Sequence, residues 1–347
     1  MQIGLFDHVE HGDRPLARLF DERLKFVEAA EAAGIYCLHV AEHHATPLNM
    51  VPVPGVYLGA VARSVKRMRL GPLVYLLPLY SPLRLIEEIC MLDHLSHGRL
   101  DVGVGRGVSP YELKYHKVEH DRSRDIFIDA FKCVSAGLTT DRLTYESEHY
   151  SYKDVPIELR PLQEPHPPFW YGSSNEIGST RGRRAGFAFR HAGPDGDRQG
   201  QYRRLQSRAE QTRRAGSAQG GIFRRRGNRR ATAYVRRRHR CGGASLRQAG
   251  VGYSSRAFEL AARQAWRDRA HVAAECAARR QFRGMREDRT VIAGSPATVR
   301  AELVRQVREL GVNYLLTYLF LGTMSLADAL RSLDLFRSEV MPHLAKL

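Results

Sequence analysis

The feature that most constrains this chain is a repeated alternation of short, almost wholly apolar runs with longer amphipathic ones. "QIGLF", "IYCLHVAE", "MRLGPLVYLLP", "RLDVGVGRG" and "PPFWYGSS" read as five buried strands within residues 1–174, and "VNYLLTYLF" as one more near the end. Runs apolar at every position lack the in–out alternation of a half-solvated sheet, so both of their faces must be covered. The covers lie between them. Leu19, Phe20, Leu24, Val27 and Ala30 recur at helical spacing before Gly34. "VYLGAVARS", "SPLRLIEEICMLDHLSHG", "DIFIDAFKCVSAGL", "GSPATVRAELVRQVRELG" and "SLADALRSLDLFRSEVMPHL" follow the same pattern. Ser81 and Pro82 suit a helix start, and Gly98 a helix end. "RLTYESEHYSYKDV" reads as a small surface hairpin.

Strand–helix alternation of this kind makes a parallel sheet sheathed in helices. Six strands with room for two more predict a closed (β/α)8 TIM barrel, with residues 1–347 as a single domain. The rival open, doubly wound sheet expects a Gly-x-Gly-x-x-Gly turn after the first strand, and none is present. No apolar stretch reaches the roughly 18 residues of a membrane span. The start of the chain lacks a basic-then-apolar leader, and the five cysteines are scattered with no C-x-x-C pair. These features point to a reducing cytoplasm without disulfides or a structural zinc site.

The net charge of +17 is not spread evenly. Residues 181–285 hold 27 Arg, no Lys and 6 acidic residues, a net of +21, so the rest of the chain carries −4. Val, Ile, Leu and Phe make up 12 of those 105 residues, below the roughly 20% at which charged chains tend to stay unfolded. The sixth and seventh strands should lie in this block, yet runs such as "FRRRGNRRATAYVRRRHR" show neither strand nor helix periodicity. A polyanion-binding arm and a solvated insertion are two readings. A third is out-of-frame translation of a GC-rich gene, which enriches Arg, Ala and Gly and nearly eliminates Lys. The third fits the abrupt return of the barrel pattern at "TVIAGSPATV"; it fails if no other frame of the coding DNA restores apolar periodicity. Nucleic acid is not an expected partner.

In a parallel barrel, chemistry belongs at the C-terminal ends of the strands. His43 and His44 follow the second strand, Arg106 the fourth, and Ser173 and Ser174 the fifth. An arginine with serine hydroxyls and loop N–H groups suits a phosphate dianion. Two adjacent histidines in an extended segment point opposite ways, which argues against a shared metal ion, and no metal ligand is assigned. Glu42 reads either as a partner that orients a histidine or as a simple ion-pair residue, and His43 as a structural ring bonded to backbone or to Glu42. Tyr75, Tyr111 and Met50 are candidate pocket-lining residues, and Glu87, Glu88 and Asp93 a solvated face with a structural pair.

Taken together, "AEHHATP", "GPLVYLLPLYSPLRLIEEICMLDHLSHGRLDVGVGRG", "PPFWYGSS" and the closing run from "VIAGSPATV" to "RSEVMPHL" resemble the bacterial luciferase-like, flavin-dependent monooxygenases. The resemblance covers about residues 1–180 and 287–345, and the long string from Gly71 to Gly107 carries most of its specificity. It implies a barrel that binds reduced FMN, or in some relatives a deazaflavin, at the C-terminal mouth. It implies that His44 acts as a base or hydrogen-bonding partner beside flavin and substrate. Arg106 would bind the flavin phosphate, assisted by Ser173 and Ser174, and a cis non-proline peptide at Leu73–Val74 would lie beneath the flavin ring. The expected reaction is oxygenation of a small aldehyde- or ketone-like molecule by dioxygen. No nicotinamide-binding fingerprint is seen, so reduced flavin is expected from a separate reductase. A homodimer built through early helices is the expected assembly, and hydride transfer with a deazaflavin is the close rival.

Overall fold

The computed structural model describes residues 1–173, 188–191, 233–235 and 291–347. In chain order the elements begin with strand β1 (Gln2–Asp7), helix α1 (Leu16–Ala32), β2 (Cys37–Val40), α2 (Pro54–Ser64), β3 (Arg69–Pro72) and β4 (Tyr75–Leu76). They continue with α3 (Pro82–Leu95), β5 (Val102–Gly105), α4 (Pro110–Tyr115), α5 (Ser123–Gly137), the hairpin β6 (Arg142–Glu146) and β7 (Ser151–Pro156), and β8 (Phe169–Ser173). After β9 (Ala188–His191) and β10 (Ala233–Val235) come β11 (Ile292–Gly294), α6 (Pro296–Leu310), β12 (Tyr314–Thr317), α7 (Leu326–Glu339) and α8 (Met341–Leu344).

Parallel pairing runs β12-β1-β2-β3, and β4-β5-β8-β9 continues it, with the bridge Leu70–Leu100 joining the two halves. β10 and β11 form a further parallel pair. This is the course of the expected (β/α)8 barrel. Within the Arg-rich block, β9 and β10 are the described strands; the rest of 181–285 lies outside the described residues, as does the question of its reading frame. Among the described residues no helix is long and apolar enough to cross a membrane.

The third strand departs from the sequence reading. "MRLGPLVYLLP" is not continuous: β3 pairs with β2 and β4 with β5, and the cis peptide Leu73–Val74 separates them. Around that peptide, glycines make the space. A Cβ at Gly103 would lie 2.3 Å from the Pro72 carbonyl oxygen, and one at Gly105 would lie 2.5 Å from Val74 Cγ2. The two cores follow from the strand alternation. Phe6, Cys37, Ala41, Leu73, Trp170, Tyr314 and Leu316 fill the barrel interior, and a larger apolar layer lies between strands and helices.

Helix α1 also differs: Phe20 and Leu24 are only partly buried, and Arg23 and Phe26 are buried instead. Its buried face is Leu19, Arg23, Phe26, Val27 and Ala30, so a charged residue occupies the apolar stripe. Arg23 donates to both Asp7 carboxylate oxygens at 2.8 and 3.0 Å and to the Phe320 carbonyl at 2.7 Å, and lies over the Phe320 ring at 3.8 Å. A buried guanidinium is tolerated only when its charge is paired in this way. Ser81 stands at the N-cap of α3 as expected, but its side chain makes no capping hydrogen bond. Ser295 and the left-handed Gly311 cap α6 at its two ends.

Candidate active site

Strand β2 ends at Val40, and the loop that follows is pinned at several points. Asn49 Nδ2 donates to the Ala41 carbonyl at 2.8 Å, and Met50 N–H to the Val9 carbonyl at 3.0 Å. The loop therefore holds "EHH" in a defined geometry at the barrel mouth. Glu42 points inward and is 2% exposed. One of its oxygens, Oε1, lies 2.9 Å from His44 Nε2, and the other accepts from the Tyr80 hydroxyl at 2.8 Å and the Leu76 N–H at 3.2 Å. Burial raises the Glu42 pKa above the usual carboxylate value, while hydrogen bonds from His44 and Tyr80 oppose it. Burial and the Glu42 charge push the Tyr80 phenol upward, so it stays a proton donor to Glu42. Glu42 thus contacts His44 directly at hydrogen-bond distance. The outer side of the His44 ring meets His116 edge-on at 4.5 Å.

His43 goes elsewhere, as expected for adjacent residues in an extended segment. Its Nδ1 lies 3.1 Å from Glu112 Oε1, a partner the sequence reading did not point to. The ring stacks on His8 at 5.5 Å, and His8 meets Phe6 edge-on at 4.9 Å. His43 is thereby continuous with the interior apolar cluster. Sequence reading missed both Glu112 and His8, and each had a signal. Ser109-Pro110-Tyr111-Glu112 is a capping-box spacing, and Ser109 Oγ does accept from Glu112 N–H at the start of α4. His8 follows Gly4 and Phe6 at the period of two that marks one face of β1.

Arg106 follows the last residue of β5 and is half-buried. Burial raises the pKa of the Tyr171 phenol on β8, and the positive charges of Arg106 and Arg124 oppose that rise. Both positive charges thus act on the Tyr171 phenol, near the end of β8. Ser173 closes β8 in register with His191 of β9, a backbone placement beside that point. Ser174 lies outside the described residues. Leu73 belongs to the interior cluster, and Val74 packs against it with its side chain over Gly105 and Gly172.

The candidate pocket residues divide. Tyr75 is fully buried and turned away from the mouth, donating to Glu88 Oε1 at 2.6 Å, so it belongs to the packing between β4 and α3. Met50 packs on the outer core, whereas Tyr111 is exposed on α4. Within the acidic set Glu88 thus takes a structural contact, as does buried Asp93, which accepts from Gln163 N–H and Nε2, each at 2.7 Å.

The chain is similar to several known proteins. The chain is 41% identical over 174 residues to an uncharacterized protein of Sinorhizobium fredii, covering 50% of this chain and 51% of that one. It is 28% identical over 180 residues to the oxygenase component of a flavin-dependent trigonelline monooxygenase of Acinetobacter baylyi, covering 49% and 48%. The chain thus spans about half the length of the curated relatives it matches. Among solved structures, the monooxygenase RslO1 of Streptomyces bottropensis superposes with TM-score 0.81 at 23% identity, covering 99% of this chain and 100% of the other. The oxygenating constituent of the Pseudomonas putida 3,6-diketocamphane monooxygenase, a type II Baeyer-Villiger enzyme in complex with FMN, superposes with TM-score 0.74 at 17% identity, covering 99% and 98%. At these identities the two structures establish a shared fold. The family profile for luciferase-like monooxygenases matches residues 1–314, and the chain belongs to that family.

Proposed function

We propose that this chain is the oxygenase component of a two-component flavin-dependent monooxygenase acting on a small aldehyde- or ketone-like substrate with dioxygen. One observation supports the reading: His44, hydrogen-bonded to buried Glu42, follows β2, and Arg106 follows β5, both at C-terminal strand ends, where a parallel barrel carries its chemistry. The residues fit a flavin mononucleotide. Arg106, with Arg124 also acting on Tyr171 and Ser173 at the end of β8, offers permanent charge and donors to a phosphate. Ser174 completes the proposed set, and Leu73 and Val74 form the apolar floor for a flat ring. Reduced flavin, when bound, supplies the electrons that activate dioxygen for transfer of one oxygen atom to the substrate.

The protein's own contribution is positional. Glu42 holds Nε2 and fixes the ring, so Nδ1 is the nitrogen at which His44 would hold and return a proton. The apolar interior cluster below the mouth limits water there. A second histidine has a specific observation in its favour: His43 stacks on His8 above Phe6, closer to the interior cluster, with Glu112 as its own carboxylate. A separate reductase would supply reduced flavin, consistent with the "oxygenase component" name of the Acinetobacter relative. For assembly we favour a homodimer through α2 and α3, which pack together and expose Val56 (78%) and Met91 (54%).

The test is turnover of the purified chain with FMN, a flavin reductase, a panel of aldehydes and ketones, and isotopically heavy dioxygen. One heavy oxygen atom in the product supports the reading. Flavin-dependent hydride transfer without oxygen incorporation would favour a deazaflavin-type reaction instead.

A further inference from the structure

A second polar cluster lies at the opposite end of the barrel interior, away from the mouth. Cys37 and His39, two residues apart on β2, face the same side, as the strand period requires. Asp101 joins them from just ahead of β5, two strands away. The ligand atoms of these three buried residues all lie within 4.8 Å of one another, and Cys37 Sγ is 3.8 Å from Asp101 Oδ2. Glycine makes this approach possible. Gly71 of β3 sits opposite His39 in register, and a Cβ there would lie 1.7 Å from the Asp101 carbonyl oxygen.

We propose that Cys37, His39 and Asp101 bind one divalent ion of the zinc class, which ties β2 to β5 at the N-terminal end of the barrel. Thiolate, imidazole and carboxylate are the ligand types such an ion takes, at about 2.3 Å to sulfur and about 2.0–2.2 Å to nitrogen or oxygen. Tetrahedral geometry with those bonds puts sulfur and oxygen about 3.6 Å apart, close to the 3.8 Å separation of Cys37 Sγ and Asp101 Oδ2. The imidazole has to close by roughly an ångström to complete the set. Supporting contacts already orient the ligands. The Tyr314 hydroxyl lies 3.0 Å from His39 Nε2. Arg69 donates to Asp101 Oδ1 from Nε at 2.9 Å and from Nη2 at 2.7 Å, which leaves Oδ2 turned toward the sulfur. Partners of this kind fix ligand orientation and tune affinity. The sequence shows no metal motif because Asp101 joins Cys37 and His39 from just ahead of a separate strand, β5, rather than by local spacing.

The test is a cobalt titration of the full-length chain, kept reduced and stripped of metal with a chelator. The expected result is a thiolate-to-cobalt charge-transfer band that saturates at one equivalent and is displaced by zinc. Cys37→Ser should abolish the band, and Asp101→Asn should weaken cobalt binding at least tenfold. No charge-transfer band in the parent chain, or an unchanged band in Cys37→Ser, overturns the proposal. If Cys37→Ser fails to fold by circular dichroism, X-ray absorption of the zinc-loaded parent decides. One sulfur among nitrogen and oxygen neighbours supports the site, and a shell without sulfur refutes it.

Discussion

His44 Nε2 lies 2.9 Å from Glu42 Oε1, and the two residues differ sharply in environment: Glu42 is buried, while His44 keeps partial access to the mouth. The arrangement has a pH signature. Burial raises the Glu42 pKa in the folded chain, so the native state holds that proton more tightly than the unfolded state does. The resulting stability is full below the unfolded pKa and is lost as pH rises through the folded one. Glu42→Gln mimics the protonated form and keeps acceptors for Tyr80 and Leu76. Its melting temperature relative to the parent should therefore climb as pH is raised from about 4 to about 8. A difference that stays flat or falls over that range removes the buried-carboxylate account.

The two histidines separate by kinetics. His44→Ala should cut turnover by roughly 100- to 10,000-fold, the usual loss of a general acid–base group, while leaving flavin affinity within a few-fold. His43→Ala should cost less, because that ring is held by Glu112 and stacked on His8. Steady-state rates with both variants check this. The larger loss in His43→Ala would transfer the proton role to the ring over the interior cluster.

Gly103 is required by the backbone opposite it. Gly103→Ala would set a Cβ 2.3 Å from the Pro72 carbonyl oxygen and 2.9 Å from Leu73 Cα, neither of which can swing aside as a side chain end can. Overpacking of this kind costs about 1–3 kcal/mol. The displaced Leu73–Val74 segment should also weaken flavin binding. Thermal melts and flavin titration of the same variant measure both effects.

The legibility of this chain followed the range of the forces involved. Continuous apolar strands and helical stripes announced the barrel, because burial acts through local periodicity. The residues Arg106, Ser173 and His44 could be placed on the rim because strand ends can be read from the same pattern. The break between β3 and β4 did not show in the apolar pattern, since it depends on Gly103 and Gly105 of the neighbouring strand making room; only the family resemblance placed a cis peptide at Leu73–Val74. Nor did the direction of Tyr75, which is set by Glu88 on the packed helix, or the burial of Arg23, which depends on Asp7 and the Phe320 carbonyl far along the chain. The Glu112 partner of His43 is an intermediate case: its capping-box spacing was visible, but its contact was not.

Arg23 gives a stability prediction independent of function. It is fully buried between Asp7, Glu10 and the Phe320 ring. Arg23→Ala leaves two carboxylates in the core without their cation and should cost about 3–5 kcal/mol. Chemical denaturation at neutral pH checks the magnitude. A loss under about 1 kcal/mol would mean that the network is solvated rather than buried.

The central claim is that the rim near Tyr171, held by Arg106, grips the phosphate of a flavin mononucleotide. Anaerobic titration with reduced FMN of the parent chain and Arg106→Ala tests it most directly. The account predicts one site in the parent and at least tenfold weaker binding in Arg106→Ala, with binding of reduced riboflavin, which lacks the phosphate, nearly equal in the two. Equal FMN affinity in both proteins would contradict it.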